Sequence, residues 1–464
     1  MNIKAKDLSK IGYLNDQIRS LVINTVSKHF KHYTKQQVLD LLIELRADAE
    51  RFEQNAVLGK IAALFLDKKS EKPFVAYQME AEPKPVKTFG SRFIDTSAKQ
   101  QMKTALQLPI AERGALMPDA HSGYGLPIGG VLATNNAVIP YGVGVDIGCR
   151  MAMSIYPVSE KEFNQHKHSC KTALSDWTHF GMEGGLEGRR EHSVLESPLF
   201  QEIPLLKPLK GKAGKQLGSS GGGNHFVEWG LVDITENNSI GLKSGKYVAL
   251  LSHSGSRSLG ATIAMHYVKK AMEVCKLPNY AKHFAWLDLD TELGQEYWKA
   301  MNLAGDYAKA CHEVIHQNMQ KQLGFEPIIT IENHHNFAWK EVIDGKELIV
   351  HRKGATPAKE GELGIIPGSM IHPGYLVSGK GNVESLFSAS HGAGRSMSRA
   401  KAKESNTVSA MKKLLAAHDV TLLGGSTEEA PNAYKNIEQV MASQIELVNV
   451  EGVFYPKIVR MNKE

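Results

Sequence analysis

Residues 250–257 read Leu-Leu-Ser-His-Ser-Gly-Ser-Arg, an apolar segment that runs into a loop of small residues. The apolar part predicts a strand over 247–252, and helical spacing begins after the loop, over 260–275. The same alternation predicts further helices over 159–175, 294–323 and 430–447, and further strands over 127–134, 328–332, 347–351 and 451–460. Strands and helices that alternate in this way indicate a mixed α/β body.

Residues 15–68 have a different pattern, in which apolar side chains recur at helical spacing without Gly or Pro until Gly59. This periodicity predicts an N-terminal helical appendage over residues 1–72, followed by the mixed body over 73–464. The longest apolar run, over residues 61–66, is far shorter than the roughly 20 residues of a membrane helix. The beginning, MNIKAKDLSK, is too charged for a signal peptide, so we expect a cytoplasmic chain with no membrane partner.

Composition excludes several classes of protein. Of the 464 residues, 42% are hydrophobic and 22% are charged, which is typical of globular chains and excludes disordered, collagen-like and coiled-coil proteins. The 55 Lys and Arg residues exceed the 49 Asp and Glu residues by six, which fits a polyanionic partner and fits a uniformly solvated surface equally well. The cysteines have no disulfide spacing, so we expect four reduced thiols: Cys149, Cys170, Cys275 and Cys311.

Five segments carry metal-competent side chains, most of them beside glycines that let the backbone approach a ligand closely. The first, MPDAHSGYG over 117–125, is followed by GVDIGCR, where Asp146 and Cys149 are three residues apart. This pair can bind one metal or bridge two, and a turn with a buried Cys is the alternative. In the second, three glycines precede Asn224 and His225 and free backbone N–H groups for an anion, unless the segment is a flexible loop.

The other three segments supply imidazoles. His253 follows a strand at a junction where rigid scaffolds present functional groups. His334 and His335 end another strand, and because adjacent strand residues point to opposite faces, at most one of them should face the same cluster. His391 precedes a Gly-Ala-Gly turn and two arginines, a composition that suits phosphate, and such a histidine can be a nucleophile.

Four patterns favour less specific interpretations. The HExxH match over His312–His316 resembles a zinc-protease helix, but no third ligand is evident, so we interpret it as a solvated helix face. A polar setting indicates surface positions for His166, His168 and Cys170. The basic, turn-rich segment over 204–215 predicts an exposed loop. Gly123-Tyr124-Gly125 lacks the strand and helix that a nucleotide loop requires.

Taken together, the segments resemble the RtcB family of RNA ligases over about residues 73–464. The resemblance lies in nine motifs that occur in the family's order: MPDAHSGYGLPIGGV, VGVDIGCR, GGGNHFVEWG, LSHSGSRSLG, ENHHNFA, HRKGATPA, GIIPGSM, SASHGAGRSMSR and EEAPNAYKNIEQVM. It implies an α+β fold in which a compact catalytic body contains a central metal cleft. It also implies two metal ions bridged by the thiolate of Cys149, the histidine that becomes guanylylated at His391, and further metal ligands at Asp146, His225, His253 and His335.

The family's nucleotide pocket corresponds to Asn224, Glu228, Asn336, Ser369, His391, Gly392, Ala393, Gly394 and Tyr434. Arg257, Arg352 and Lys353 are implied as phosphate contacts. Family members commonly finish with Lys-Gly, and that lysine contacts guanine. An ungapped comparison places Met461 there, and Lys463 fits only with an insertion, so we assign no guanine contact.

The resemblance implies a ligase that uses GTP and two Mn²⁺ ions in RNA repair or tRNA splicing. It joins RNA ends with a 2′,3′-cyclic phosphate or 3′-phosphate to 5′-hydroxyl ends through histidine-GMP; the sequence names no activating protein partner. Because lysines and arginines would hold the RNA backbone, affinity should fall steeply with salt. One carboxylate, one thiolate and three imidazoles suit Mn²⁺, Zn²⁺ and Co²⁺ alike. A metal-dependent phosphoesterase acting on RNA ends and a binding module without turnover are the alternatives.

Overall fold

The computed structural model describes residues 3–13, 16–66, 74–181 and 191–463. The chain divides into two compact units, Met1–Phe74 and Val75–Glu464. The domain boundary expected at residues 72 and 73 lies outside the described residues. No helix in the described ranges is long and apolar enough to cross a membrane.

The first unit is helical over its described residues. Its core is built from one face of each helix, and Tyr13 donates a hydrogen bond to the carbonyl oxygen of Leu42 at 2.7 Å. Thr34 begins the third helix by accepting a hydrogen bond from the N–H of Gln37, whose side chain accepts from the N–H of Thr34 in return. The helices are α1 (Ala5–Lys10), α2 (Asp16–His29), α3 (Lys35–Ala47) and α4 (Gly59–Leu66).

The second unit combines helices with several sheets, as the α+β prediction requires. Its longest helix has 32 residues, begins after the N-cap Thr291 and ends at Gly324, where the backbone turns left-handed. The helices are α5 (Thr96–Ala105), α6 (Pro140–Val143), α7 (Glu160–Trp177), α8 (Leu199–Glu202), α9 (Lys210–Gln216), α10 (Arg257–Val274), α11 (Glu292–Leu323), α12 (Arg399–Ser405), α13 (Val408–Ala417) and α14 (Ile437–Ala442).

The helices expected over 159–175, 260–275 and 294–323 are therefore confirmed, and two other expectations are wrong. The helix expected over 430–447 shortens to α14, because Pro431 begins a separate 3₁₀ turn and Asn436 caps a new helix. The exposed loop expected over 204–215 contains α9, whose Ala213 is buried while the lysines around it face outward.

The strands lie close to their expected positions. They are β1 (Val75–Ala76), β2 (Val86–Thr88), β3 (Ala111–His121), β4 (Ile128–Thr134), β5 (Ala137–Val138), β6 (Arg150–Tyr156), β7 (Phe226–Ile234), β8 (Gly245–Ser254), β9 (Cys275–Lys276), β10 (Leu287–Asp288), β11 (Ile329–His334), β12 (Asn336–Ile343), β13 (Lys346–Lys353), β14 (Ala355–Pro357), β15 (Leu363–Ile366), β16 (Gly374–Gly379), β17 (Ser388–Ser390), β18 (Thr421–Leu423) and β19 (Val448–Met461).

Two sheets form the body of the second unit. The larger has eight strands in the order β11-β6-β8-β7-β19-β16-β15, with β18 paired to β19. The smaller has the order β12-β13-β4-β3-β2. Most of these neighbours are antiparallel, which places this mixed architecture in the α+β class.

Antiparallel register brings the candidate ligands together at the ends of neighbouring strands in the larger sheet. Arg150, the first residue of β6, pairs with Ser254 at the end of β8 and with His334 at the end of β11. Phe226, the first residue of β7, pairs with His253. Adjacent antiparallel strands run in opposite directions, so the first residue of one strand lies beside the last residue of the next. The residues that flank these strand ends therefore converge on one side of the sheet.

Candidate active site

Five donor side chains meet at these strand ends. The Cys149 sulfur lies 3.3 Å from His225 Nε2 and 3.2 Å from His253 Nε2. His253 Nε2 lies 3.3 Å from His335 Nε2, and His225 Nε2 lies 3.0 Å from the Asp146 carboxylate. The structure therefore brings together all five side chains that the sequence nominates as metal ligands.

The donors form two overlapping groups, each able to hold a metal ion. Cys149, His253 and His335 make up one group, and Asp146, Cys149 and His225 make up the other, with the donor atoms of each group within 4.8 Å of one another. Because Cys149 belongs to both groups, its sulfur is placed where it can bridge two ions. A soft sulfur, a hard carboxylate and imidazoles suit a borderline divalent cation.

Hydrogen bonds orient these donors. His253 Nδ1 lies 3.1 Å from the carbonyl oxygen of Asn224, so this nitrogen carries the proton and Nε2 keeps its lone pair for the cluster. Burial lowers the pKa of His253 to about 3, which keeps the ring neutral. Ser256 donates its N–H to Asp146 at 3.2 Å, and Gly255 is required there because a Cβ would collide with the Asp146 carboxylate.

Burial and the neighbouring groups together determine the protonation of the two acidic donors, Cys149 and Asp146. Burial raises the pKa of the Cys149 thiol well above its usual value, and the nearby Asp146 carboxylate raises it further. Burial also acts to raise the pKa of Asp146, but hydrogen bonds from His225 and Cys149 and the charge of His225 outweigh it, and the pKa lies below its usual value. The cluster alone therefore favours a thiol, and binding a cation would release its proton.

His391 lies beside the metal ligands. Its ring centroid is 4.9 Å from that of His335, and its Nδ1 is 2.7 Å from the carboxylate of Asp119, which is fully buried. Gly394 permits this approach, since its φ is +71° and a Cβ would collide with the Asp119 backbone. The sequence assigns Asp119 no role, because a separation of 272 residues leaves no local signal.

A cleft opens beside His391 and the metal ligands. It contains basic side chains as well as the Gly-Ala-Gly turn, and burial lowers the pKa of Lys353 to about 7. Its lining includes Asp146, Asn224, His253, Lys353, His391, Gly392, Ala393, Gly394, Arg395, Arg399 and Tyr434. Tyr124 lies at the cleft with 75% of its surface exposed.

A smaller pocket, here called the side cavity, adjoins the cleft through the shared residues Asn224 and Tyr434. It is mostly apolar and includes four of the expected nucleotide contacts. Its lining includes Asn224, Glu228, Ser369, His372, Tyr434 and Met461. Met461, which the ungapped comparison places at the guanine contact, lines the cavity. Lys463 is exposed and does not belong to the lining.

Three other expected contacts have partners inside the protein. Asn336 donates to the carbonyl oxygen of Asp146 at 3.2 Å and accepts from the N–H of Gly354 at 2.8 Å, so its amide shapes the metal loop. Arg352 is fully buried and donates to Glu341 at 2.8 Å, which removes it from phosphate binding. Arg257 donates to the Ser219 hydroxyl at 3.2 Å.

Of the two neighbouring histidines, His335 faces the cluster and His334 packs against Phe337 and Trp339, as strand alternation predicts. The surface positions expected for His166 and His168 are confirmed, because both side chains are exposed. The surface positions expected for Cys170 and for the HExxH helix face are wrong. Cys170 lies on the buried face of α7, in an apolar core cluster.

His312 and His316, expected on a solvated helix face, are also buried. The Ser252 hydroxyl lies 2.6 Å from His312 Nδ1 and 2.8 Å from His316 Nε2, and Ser154 lies 2.7 Å from His316 Nδ1. Ser252 and Ser254, whose hydroxyl and carbonyl groups bond these histidines, flank His253 on β8. Its helix appears polar in sequence because much of its buried face is made of small residues such as Ala300, Ala304 and Ala308.

Comparison with known proteins gives one consistent result. The family model described as tRNA-splicing ligase RtcB matches residues 101–203 and 200–461. The chain is 32% identical over 389 residues to the RNA-splicing ligase RtcB of Escherichia coli strain K12, covering 77% of this chain and 92% of that one. It is 30% identical over 440 residues to the tRNA-splicing ligase RtcB of Nanoarchaeum equitans, covering 78% and 92% of the two chains.

Proposed function

The chain belongs to the RtcB family of RNA-splicing ligases, and from this premise we propose that it joins RNA 2′,3′-cyclic phosphate or 3′-phosphate ends to 5′-hydroxyl ends, using GTP and Mn²⁺. The reaction would pass through a covalent His391–GMP intermediate, in RNA repair or tRNA splicing. One observation carries the proposal: an imidazole bonded to the buried Asp119 lies beside a cluster of five metal donors. The catalytic domain would be residues 73–464, since every residue of this site lies in the second unit.

The five donors fit a pair of divalent cations, because the two groups converge on one sulfur and the ring nitrogens face it. Asp146, Cys149, His225, His253 and His335 would hold two Mn²⁺ ions. Bound there, the ions would neutralise phosphate charge and favour departure of pyrophosphate.

Asp119 prepares His391 for nucleophilic attack. Its carboxylate accepts the proton of His391 Nδ1, which leaves the lone pair on Nε2 free. In the proposed step, Nε2 attacks the α-phosphorus of GTP, the new N–P bond forms, and the bond to the β-phosphate breaks as pyrophosphate leaves. The positive charge that develops on the ring is then balanced by Asp119, as in the buried carboxylate–histidine pairs of hydrolases.

RNA enters after the covalent step. Water first hydrolyses the bond from phosphorus to O2′ in a 2′,3′-cyclic phosphate and leaves a 3′-phosphate. An oxygen of this 3′-phosphate then attacks the phosphorus of His391–GMP, and the P–N bond breaks and frees the histidine. The 5′-hydroxyl of the second RNA end then attacks the activated 3′-phosphate, GMP leaves and the phosphodiester forms. Arg399 lines the cleft with about half of its side chain exposed and is suited to hold an RNA phosphate, whereas Lys353 donates to the carbonyl oxygen of Tyr141 and Arg395 is paired with Glu429.

A metal-dependent phosphoesterase remains the second candidate, because the donor cluster is complete without His391. Such an enzyme would hydrolyse phosphate esters at RNA ends and form no covalent nucleotide. A module that only binds RNA ends or nucleotide would show neither activity.

The deciding experiment is intact mass spectrometry after incubation with GTP and Mn²⁺. We expect a GMP adduct on the wild type and on His418→Ala, an exposed histidine outside the site, and no adduct on His391→Ala. Ligation of RNA ends should disappear with the adduct. Ligation retained by His391→Ala refutes the mechanism, and hydrolysis without an adduct in folded, metal-loaded wild type favours the phosphoesterase.

A further inference from the structure

Glu228 is an acid without a partner inside the side cavity. It is 5% exposed, and no described residue makes a hydrogen bond to its carboxyl group. A buried polar group of this kind is costly unless a ligand satisfies it. The cavity adjoins the cleft through shared lining residues that include Asn224 and Tyr434, so a nucleotide with its phosphates at His391 would direct its base towards Glu228.

The sheet register places Glu228 on the same face as Met461. Glu228 pairs with Val459 and Phe226 pairs with Met461 across the β7–β19 ladder. Directly opposed residues share a face, as do residues two apart on one strand, so all four side chains point into the cavity. Met461 is thus an apolar neighbour of the acid.

No lysine or arginine belongs to the cavity lining in the described part of the chain. The other ionisable groups there have partners: Glu429 accepts from Arg395 at 3.0 Å, and His372 Nδ1 lies 2.7 Å from the Ser369 hydroxyl. Tyr434 donates to Glu429. Burial raises the pKa of Glu228 to about 8, so near neutral pH the group is a carboxylic acid rather than a carboxylate.

The two forms of the group recognise different bases. A carboxylate only accepts hydrogen bonds, so it matches the N1–H and N2–H donors of guanine and repels the N1 lone pair of adenine. A carboxylic acid donates one bond and accepts another, so it matches N1 and N6–H of adenine as well as O6 and N1–H of guanine.

We propose that the side cavity accepts either purine base, so that ATP as well as GTP serves as the nucleotide donor to His391. The inference rests on the proposed function, because it concerns the base of the same nucleotide. Glu228 reads the base edge shared by the two purines, and Met461 sets the low discrimination because it places no positive charge beside the acid. A lysine at 461 would stabilise the carboxylate and favour guanine.

The test measures adduct formation on the full chain with Mn²⁺ and with ATP or GTP at subsaturating concentration. In the wild type, the two rate constants should lie within about tenfold of each other, since no contact separates the purines strongly. Met461→Lys should shift the ratio towards GTP by about tenfold or more. Met265→Lys adds the same charge at an exposed position of α10 and should leave the ratio unchanged.

Glu228→Gln supplies a second variant that does not depend on how Met461→Lys folds. An amide keeps one donor and one acceptor at all pH values, so the ratio of ATP to GTP should stay within about threefold of the wild type, whatever happens to the absolute rates. A GTP adduct with an ATP rate more than about a hundredfold lower overturns this inference alone. An absence of adduct with both nucleotides, in folded and metal-loaded protein, overturns the proposed function instead.

Discussion

His391 Nδ1 and the Asp119 carboxylate lie 2.7 Å apart, although 272 residues separate them in the chain. The carboxylate is fully buried and held by the end of β3, while the imidazole sits on the loop after β17. A hydrogen bond from Nδ1 selects one tautomer, and that tautomer directs Nε2 and its lone pair away from Asp119. Asp119 is therefore a positioning residue for the proposed nucleophile.

Asp119→Asn tests this role. The amide keeps the shape of the side chain but loses the negative charge that stabilises the developing imidazolium, so the rate of GMP adduct formation should fall by roughly a hundredfold or more. The metal content should be unchanged, because Asp119 is not one of the five donors. Rapid-quench kinetics measures the rate and metal analysis provides the control. A rate within a few-fold of the wild type would contradict the role.

Removing the shared sulfur should affect both metal groups at once. We expect Cys149→Ser to lose both ions or bind them at least about tenfold more weakly, whereas His335→Ala should weaken the group that contains it and leave Asp146, Cys149 and His225 in place. Co²⁺ substitution reports the cysteine directly, through a thiolate charge-transfer band.

Cys275→Ser is the matched control, since Cys275 is a buried thiol that belongs to neither group. It should keep the Co²⁺ band and the metal content of the wild type. Two ions retained by Cys149→Ser with unchanged affinity would exclude a bridging sulfur.

The buried histidine network should contribute to stability. Ser252→Ala removes the hydroxyl that bonds both His312 and His316 and leaves two ring nitrogens without it, so the free energy of unfolding should fall by about 1–3 kcal/mol. Urea denaturation measures the loss. Ser193→Ala, outside the network, should change the free energy by less than about 0.5 kcal/mol. A Ser252→Ala protein as stable as wild type would show that the network is not stabilising.

His351 makes stability depend on acid pH. Its Nε2 accepts a hydrogen bond from the N–H of Ile139 at 2.9 Å and its Nδ1 lies 3.2 Å from the carbonyl oxygen of Leu132, so the ring must be neutral. Burial lowers its pKa to about 4, below the usual value of 6.5. The unfolded chain therefore binds a proton that the folded chain does not, and stability is complete above about pH 6.5 and declines as the pH falls towards 4.

For this one residue the decline should be about 2 kcal/mol between pH 7.5 and pH 5. His316, whose pKa burial also lowers to about 4, should add a similar amount. Urea denaturation at constant ionic strength gives the pH slope, and His351→Asn should reduce that slope even if it lowers stability at every pH. An equal slope in the variant would contradict the assignment.

RNA affinity should depend on arginine at the cleft. Arg399 is about half exposed and forms long ion pairs with Glu429 at 3.6 Å and Glu428 at 3.9 Å, so an RNA phosphate can compete with these carboxylates for its guanidinium. Arg399→Ala should weaken RNA binding and reduce the slope of log affinity against log salt by about 1. Lys321→Ala, an exposed residue at the end of α11, should change neither quantity. An unchanged slope for Arg399→Ala would remove it from the RNA path.

Local sequence patterns were sufficient to predict much of the secondary structure of this protein and the types of its metal donors. The strand and helix around His253 were predictable because apolar runs, small-residue loops and helical spacing express preferences that act within a few residues. The same holds for the donor types of the metal cluster and for the expectation that at most one of His334 and His335 faces it, whereas the choice of His335 came from the family resemblance. Local pattern failed over 430–447, where Pro431 and Asn436 divide an apparently continuous helix.

Tertiary structure decided the rest. The contact of Asp119 with His391, the burial of His312 and His316 behind His253, and the place of Met461 opposite Phe226 depend on which distant segments become neighbours. Strand register and packing determine those neighbours, and they are properties of the whole folded chain. Periodicity therefore predicted the helices and strands and the motifs indicated which side chains carry chemistry, whereas burial and register decided which groups each side chain contacts.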